Sequence, residues 1–442
     1  MRTAQLVPLL MFFATIPVAA QNVPSPSSLA RIGLERAWVS QARVDPSRGK
    51  LTHLTVDERY VYAQASNGSL TAFDAETGNR HWVVRLGSPD RLTFAAASNS
   101  DIVMVVTGTR AFGVEKSSGH VIWTARMPAS ASTSALMDDE FFYIGTTDGS
   151  VYAFNMAVVA YKERTGRLPG SFDPGTKQTA SPVGPVAASH IWMWRYRTGR
   201  SLSQPPILAA GSILLGDTKG QVYGITPGPP EKLGGKLIFQ FQAGQGRAGA
   251  MLAKGPTTYI ATGDNRLVAV DSVEGQIRWR YSVGHRILGS PLLIDNRIYL
   301  AAEAEGLVAI DLEAGRQATT ANGPWRLRGA TEMIGASAST VYASDRQWNL
   351  IAVDRETGSP RGQIPLFGFK ERINNDLNDR VYVASEQGLI MCLRPTGAED
   401  PTFYRNADRT PITPIIADDE APIGSGTKEE IGSGTKEGGD GN

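Results

Sequence analysis

The chain repeats one short pattern eight times, and this repeat limits the possible folds more than any other feature. The stretches LTAFDAETGNRHW, LVAVDSVEGQIRW and LIAVDRETGSP each place a small residue in a strand-like run, followed by an aspartate and a glycine. The aligned small position holds Ala72, Gly113, Ala153, Gly224, Ala269, Ala309, Ala352 and finally Met391. Successive members lie 39 to 45 residues apart, except for one step of 71. A period near forty, with about four strand signals per unit, is typical of β-propeller blades.

The turn that is repeated in the units has a structural interpretation. Asp74 is expected to accept hydrogen bonds from backbone N–H groups of the turn, and Gly78 to adopt the positive φ that the chain reversal needs. We expect the aromatic ring that follows to be buried between adjacent blades. The aromatic position is filled by Trp82, Trp123, Trp279 and, after longer turns, Phe239 and Trp325. Because most units share these side chains, the pattern indicates architecture and not a catalytic motif.

The single long step indicates an insertion. An aromatic residue normally precedes the next small residue by 30 or 31 positions, as from Trp82 to Gly113, and Trp194 precedes Gly224 by 30. Trp194 is therefore the aromatic residue of the third unit, and residues 157–190 form an insertion within blade 3. Its first part, AVVAYKERTG, is expected to form a short helix, and the following part a loop.

The last unit has no aromatic residue after Met391, and the N-terminal stretch GLERAWVSQARV resembles the outer strands of other units. We therefore expect the strand around Trp38 to pair into the last blade, beside Cys392. The fold class predicted for residues 33–397 is all-β: an eight-bladed β-propeller of four-stranded antiparallel blades, whose ring is closed by the N-terminal strand.

The two ends of the chain have different compositions from the repeats. Residues 1–20 are expected to be a secretory signal peptide, with Arg2 at the start, an apolar run, and Ala20 before the cleavage site. Residues 21–32 are expected to be a linker. Residues 398–442 carry ten acidic and four basic residues and are expected to form an acidic, largely disordered tail. We expect a periplasmic or secreted monomer with no transmembrane segment after signal cleavage.

Few residues suggest chemistry. The 44 basic and 43 acidic residues nearly cancel, which argues against nucleic-acid binding driven by net charge. The five histidines lack metal-ligand spacing, and Cys392, the sole cysteine, is expected to be a buried inert thiol. The sequence therefore predicts no catalytic, cofactor-binding or metal-binding residues.

With AxDxxTGxxxW repeats in eight units, the chain resembles the pyrroloquinoline-quinone (PQQ) repeat propellers over residues 33–397. One branch of that family, the quinoprotein alcohol dehydrogenases, carries an adjacent cysteine pair and an acidic and amide set around calcium. This chain has only Cys392 and no set in that order. A PQQ- and calcium-dependent dehydrogenase, or another cofactor-binding enzyme, is kept as the alternative function.

The other branch, the BamB-like propellers, implies a secreted, non-enzymatic scaffold in outer-membrane β-barrel assembly. BamB-like chains are lipoproteins, and no cysteine for lipid attachment stands near residue 20 here. The resemblance therefore favours an extracytoplasmic protein-binding scaffold, with a role in envelope or outer-membrane protein assembly as one possibility, over membership of that assembly complex.

The insertion in blade 3 is the candidate partner-binding site. Residues 157–200 contain seven basic and two acidic residues, a net charge of +5. The predicted partner-binding residues are Arg164, Arg167, Trp192, Arg195 and Arg197. A loop grown on a rigid scaffold is a common place for a binding surface, and the positive charge favours an acidic or extended protein or peptide. The alternative is a solvated excursion with no partner.

Overall fold

The computed structural model describes residues 23–45, 47, 49–88, 92–169, 172–173, 178–179 and 190–404. The expected signal peptide and nearly all of the expected acidic tail lie outside the described residues, as do the middle residues of the insertion.

The described residues form eight four-stranded antiparallel sheets, which confirms the predicted eight-bladed propeller. From the innermost to the outermost strand, the blades are: blade 1, Leu51–Val56, Tyr60–Ala65, Ser69–Asp74 and Arg80–Arg85; blade 2, Ala97–Ser98, Ile102–Thr107, Arg110–Glu115 and Val121–Arg126; blade 3, Leu136–Met137, Phe141–Gly145, Ser150–Asn155 and Trp194–Arg197; blade 4, Ile207–Ala209, Ser212–Gly216, Gln221–Ile225 and Leu237–Gln242; blade 5, Ala248–Lys254, Thr257–Thr262, Arg266–Asp271 and Ile277–Ser282; blade 6, Leu292–Ile294, Arg297–Ala302, Gly306–Asp311 and Arg326–Leu327; blade 7, Ala330–Ala336, Thr340–Asp345, Asn349–Asp354 and Pro360–Pro365; blade 8, Glu371–Arg372, Val381–Ala384, Leu389–Pro395 and Leu34–Gln41.

The described residues contain little other regular structure. Helix α1 spans Pro26–Ala30, helix α2 spans Met156–Thr165, and a 3₁₀ turn covers Pro230–Lys232. Two short hairpins join Phe172–Asp173 to Gln178–Thr179 and Thr319–Thr320 to Gly323–Pro324. The described core is therefore the set of apolar layers between neighbouring blades.

The repeated small residue exists because an aromatic ring lies over it. Gly113 pairs with Trp123 on the outer strand of its blade, and Ala72 pairs with Trp82 in the same way. A Cβ added to Gly113 would lie 2.1 Å from the ring of Trp123. The column of small residues and the aromatic position predicted from the sequence are thus two halves of one packing unit.

Each ring also joins its blade to the next one. The indole Nε1 of Trp38 donates to the carbonyl of Ala75 at 2.9 Å, and its ring covers Gly78, whose φ is +70°. A Cβ on Gly78 would lie 2.4 Å from that ring, so the turn requires glycine for its conformation and for the close approach. Equivalent indole bonds run from Trp82 to Lys116, from Trp194 to Gly228, from Trp279 to Leu312 and from Trp325 to Arg355.

The ring closes where the sequence predicts. The N-terminal strand pairs with the third strand of blade 8, and Trp38 faces Cys392 in that pairing. A buried ionic cluster strengthens this seam: the guanidinium of Arg380 contacts Glu76 at 2.9 Å and Asp379 at 3.0 Å. Arg380 also donates to the carbonyl of Glu399 at 2.8 Å. Residues from blade 8, blade 1 and the C-terminal segment thus meet at one buried cation.

The stretch expected to be a linker contributes to the core. Leu29 of helix α1 and the nearby Ile32 are buried in the apolar layer between blades 7 and 8. Blade 7 has Gly362 opposite the small residue Ala352, and a Cβ on Gly362 would lie 3.2 Å from Ile32. Helix α1 and its C-terminal flank therefore supply the apolar cover that an aromatic residue gives in other blades.

Candidate functional site

The insertion leaves the ring between the third and fourth strands of blade 3 and begins with helix α2. Asn155 stands where Asp74 stands in blade 1, two residues after the small position. Instead of organising a tight turn, its side chain accepts a hydrogen bond from Val158 N at 3.1 Å and caps the helix. Gly166, with φ +72°, ends the helix. Blade 3 therefore has asparagine instead of aspartate at this position, and a helix instead of a tight turn.

Helix α2 is fastened to the ring by its apolar side. Met156 and Val159 are buried in the layer between blades 2 and 3, which also contains Trp123 and Phe142. The ring of Trp123 stacks on Phe142 with centroids 5.4 Å apart. The start of the insertion is therefore a fixed part of the scaffold, and its opposite side faces solvent.

This arrangement has a local cost. The indole Nε1 of Trp123 is buried and has no hydrogen-bond partner among the described residues. In four of the five interfaces with such a bond, the acceptor is the carbonyl three residues after the small position of the next blade, such as Lys116 after Gly113; in the fifth, Gly228, it is four residues after. In blade 3 that residue is Met156, which begins the helix. Replacing the turn with helix α2 has removed the usual acceptor.

The five predicted partner-binding residues lie in two places. Arg164, in the last turn of helix α2, and Arg167, just after it, are exposed. The guanidinium of Arg164 lies 5.9 Å from the ring centre of Tyr161. Arg195 and Arg197 are exposed on the outer strand of blade 3 and alternate with the buried or half-buried residues of that strand. No described carboxylate forms an ion pair with Arg164, Arg195 or Arg197.

Trp192 differs from the four arginines because it is half-buried and packs against the scaffold. Its ring centre lies 5.7 Å from that of Tyr152, in an edge-on arrangement, and 4.8 Å from that of His190, in a stacked one. The ring fixes the point where the insertion returns to blade 3. Only part of Trp192 is therefore open to a partner.

The outer strand of blade 4, in the next blade, carries exposed apolar residues. The sequence analysis did not predict this apolar surface. The turn of blade 4 is docked on blade 3, since Trp194 Nε1 donates to the carbonyl of Gly228 at 2.7 Å. Beyond that turn Leu237 and Ile238 are exposed. We call the outer strands Trp194–Arg197 and Leu237–Gln242 together the blade 3/4 rim. The sequence LIFQFQ could have indicated this apolar surface, because it lacks the charged residues found in the other outer strands.

Among the described residues, inner strands of several blades line two of the larger cavities. One, of about 580 Å³, is lined by inner strands of blades 3 to 6 and by Tyr404. The other, of about 790 Å³, lies beside blades 1, 2 and 8, where Asp57 is paired with Lys116 at 2.7 Å. Among the described residues, no group of three or more His, Cys, Asp and Glu side chains is placed to hold a metal ion.

The residues present do not fit the quinoprotein alternative. Cys392 has no cysteine neighbour, lies in the layer between blades 8 and 1, and lines neither cavity. Burial raises the pKa of its thiol well above the usual value. Within the ranges that the structure describes, no helix is both long and apolar enough to cross a membrane.

Known proteins resemble this chain in sequence and in fold. The family model described as outer membrane protein assembly factor BamB matches residues 36–228 and, in an overlapping second match, residues 157–429. The outer membrane protein assembly factor BamB of Moranella endobia (strain PCIT) is 22% identical over 298 residues, which are 59% of this chain and 75% of that protein.

Two solved structures share the fold. BamB from Moraxella catarrhalis has a TM-score of 0.55 and 13% identity, and the match covers 82% of this chain and 99% of that one. The computationally designed Ika8 protein has a TM-score of 0.56 and 13% identity, and the match covers 79% of this chain and 97% of that one. At such identity these likenesses show the fold alone.

Proposed function

The chain belongs to the family described as outer membrane protein assembly factor BamB, and from this premise we propose that it is an extracytoplasmic, non-enzymatic scaffold. It binds a protein partner in the assembly of outer-membrane proteins. The name of the Moranella relative supports this process, and the expected signal peptide supports a periplasmic or secreted location.

The observation that carries the proposal is the unpaired indole of Trp123 beneath helix α2. A buried donor without an acceptor costs about 1–3 kcal/mol, and the interface between blades 2 and 3 carries this cost where interfaces with a bonded indole do not. Departures of this kind from an otherwise repeated design are expected at functional sites. We therefore infer that helix α2 is present because its exposed side takes part in binding, and not only because its buried side packs against the ring.

The chemistry of the surface favours an acidic partner. Arg195 and Arg197 project from a strand that is held rigidly by the ring, so little conformational entropy of the backbone is lost on binding. A guanidinium can hold a carboxylate through two parallel hydrogen bonds. Arg164 and Arg167 add positive charge from the insertion, and Trp192 supplies a partly exposed aromatic ring where the insertion returns to blade 3.

Charge reversal on the rim tests this proposal. The variant Arg195→Glu with Arg197→Glu should lose the capture of outer-membrane assembly proteins from an envelope extract. The matched control is Arg80→Glu with Arg85→Glu, two exposed arginines on the outer strand of blade 1. Capture by the control should equal that of the unmodified chain. Equal capture by both variants, or equal loss, would refute a role for this basic surface.

A further inference from the structure

The outer strand of blade 4 differs from the other seven in its composition. Leu237–Gln242, with the sequence LIFQFQ, contains no charged residue and no proline. Each of the other outer strands carries at least one arginine, as in RHWVVR of blade 1, VIWTAR of blade 2 and PRGQIP of blade 7. Charges and prolines on edge strands prevent pairing with other chains. The outer strand of blade 4 therefore lacks the charged residues that protect the other seven outer strands against pairing with another chain.

The backbone of this strand offers hydrogen bonds to a further strand. Gln221 and Gln242 face each other, and Ala243 N donates to the carbonyl of Gly220. This register directs the N–H and C=O groups of Gln240 and Gln242 away from the sheet. The edge thus presents donors and acceptors at the spacing of an extended chain.

Apolar side chains surround this edge. Leu237 and Ile238 are 41% and 47% exposed, and Leu233, in the preceding turn, is 54% exposed. Val273, in the turn of blade 5, is 52% exposed. Blade 5 meets blade 4 directly here, because its Gly275 packs against the ring of Phe239. An added strand would cover apolar groups as well as satisfy the backbone.

The charges at both ends of this strand indicate what kind of strand could pair with its free edge. Lys232 and Lys236 are exposed at its beginning, and Arg247 is exposed beyond its end. Two copies of this strand paired antiparallel would bring the lysines of one copy toward Arg247 of the other. Such like charges disfavour self-pairing, whereas acidic residues at the ends of a partner strand would be attracted.

We propose that the edge of Leu237–Gln242 binds an extended segment of a partner protein, which adds a fifth strand to blade 4. The segment has alternating apolar residues at its centre and acidic residues at its ends. This inference goes beyond the proposed function, because it requires only that chemistry and no particular assembly process. It also uses blade 4, whereas the charge-reversal test above uses blade 3.

The test uses a synthetic labelled peptide of about eight residues, alternating valine and threonine, with glutamates at both blocked ends. Fluorescence anisotropy with the full chain should show saturable binding. Two further versions of the peptide are N-methylated on alternate residues, in one register or in the other. One register should abolish binding and the other preserve it, because only alternate N–H groups of an added strand face the edge.

The protein variant for this test is Ile238→Lys, which restores a protective charge. It should weaken binding by roughly tenfold or more, while the control Val39→Lys, at a 37% exposed position on the outer strand of blade 8, should bind as the unmodified chain does. Circular dichroism should show both variants folded. Equal binding by both N-methylated peptides, undiminished binding by Ile238→Lys, or a dimer lost on that substitution would overturn the proposal. The dimer would identify a second copy as the occupant.

Discussion

Replacing Arg380 with methionine would remove the one buried cation at the seam where the ring closes. The guanidinium is fully buried and lies between Glu76 of blade 1 and Asp379 of blade 8. It also donates to the carbonyl of Glu399, in the segment that follows the last strand of blade 8. Methionine fills a similar volume without a charge, so the variant removes the ionic contacts and this hydrogen bond with little change in packing volume.

The expected loss is large because two carboxylates would remain without their partner. The side chains of Glu76 and Asp379 are 24% and 5% exposed, so neither is well solvated. Removing one member of a buried ion pair costs about 3–5 kcal/mol, mainly through the charge left behind. We therefore expect Arg380→Met to lower the free energy of unfolding by about 4 kcal/mol near neutral pH.

This loss should shrink on acidification. Burial already raises the pKa of Glu76 and that of Asp379, and Arg380 opposes the rise in both. Without Arg380 both values rise further above those of the unfolded chain. The folded state then binds more protons than the unfolded state, so the free energy of unfolding increases as the pH falls through this window. The destabilisation should be greatest where both carboxylates are ionised.

Equilibrium unfolding in urea at about pH 7 and about pH 5 measures both effects. The control variant Glu76→Gln keeps an acceptor for Arg380 and leaves Asp379 as its counter-ion, so it should cost much less. The double variant should regain part of the loss of Arg380→Met, since only one unpaired carboxylate remains. A cost below about 1 kcal/mol, or a cost that grows at the lower pH, would show that the ion pairs of Arg380 do not stabilise the closed ring in this way.

Other regions give three further predictions. Gly113→Val should lower the free energy of unfolding by about 1–3 kcal/mol, because the Cβ of the valine would overlap the Trp123 ring. An unchanged melting temperature would contradict this packing. The thiol of Cys392 should react with iodoacetamide only after unfolding, because burial raises its pKa; rapid reaction of the folded chain would contradict that burial. Adding PQQ and calcium should give no saturable absorbance change, and a saturable one would support the enzyme alternative.

The features that the sequence predicts well are those that recur. The small residue at Ala72, the aromatic ring at Trp82 and the turn around Asp74 repeat in several blades, so each unit supports the interpretation of the others. Asp74 accepts hydrogen bonds from two turn N–H groups, as expected. The pairing of Trp38 with Cys392 was also predictable, since the strand missing from one end of the repeat is present at the other.

Features that occur once were not predictable in this way. Ile32 covers Gly362 in place of an aromatic ring, and no repeat announces that substitution. The cluster at Arg380 depends on three segments that meet only in the folded ring. The partner-binding role of Arg164, Arg167 and the nearby residues stays a prediction, because charge along a sequence does not say what it binds.

Site-specific photo-crosslinking would show whether a partner binds at the blade 3/4 rim. A photoreactive residue placed at Arg197 or, as a control, at Arg85 would be activated in intact envelopes. Position 197 should crosslink to an outer-membrane assembly protein, and position 85 should not. Crosslinks of equal yield from both positions, or none from position 197, would contradict binding at this rim.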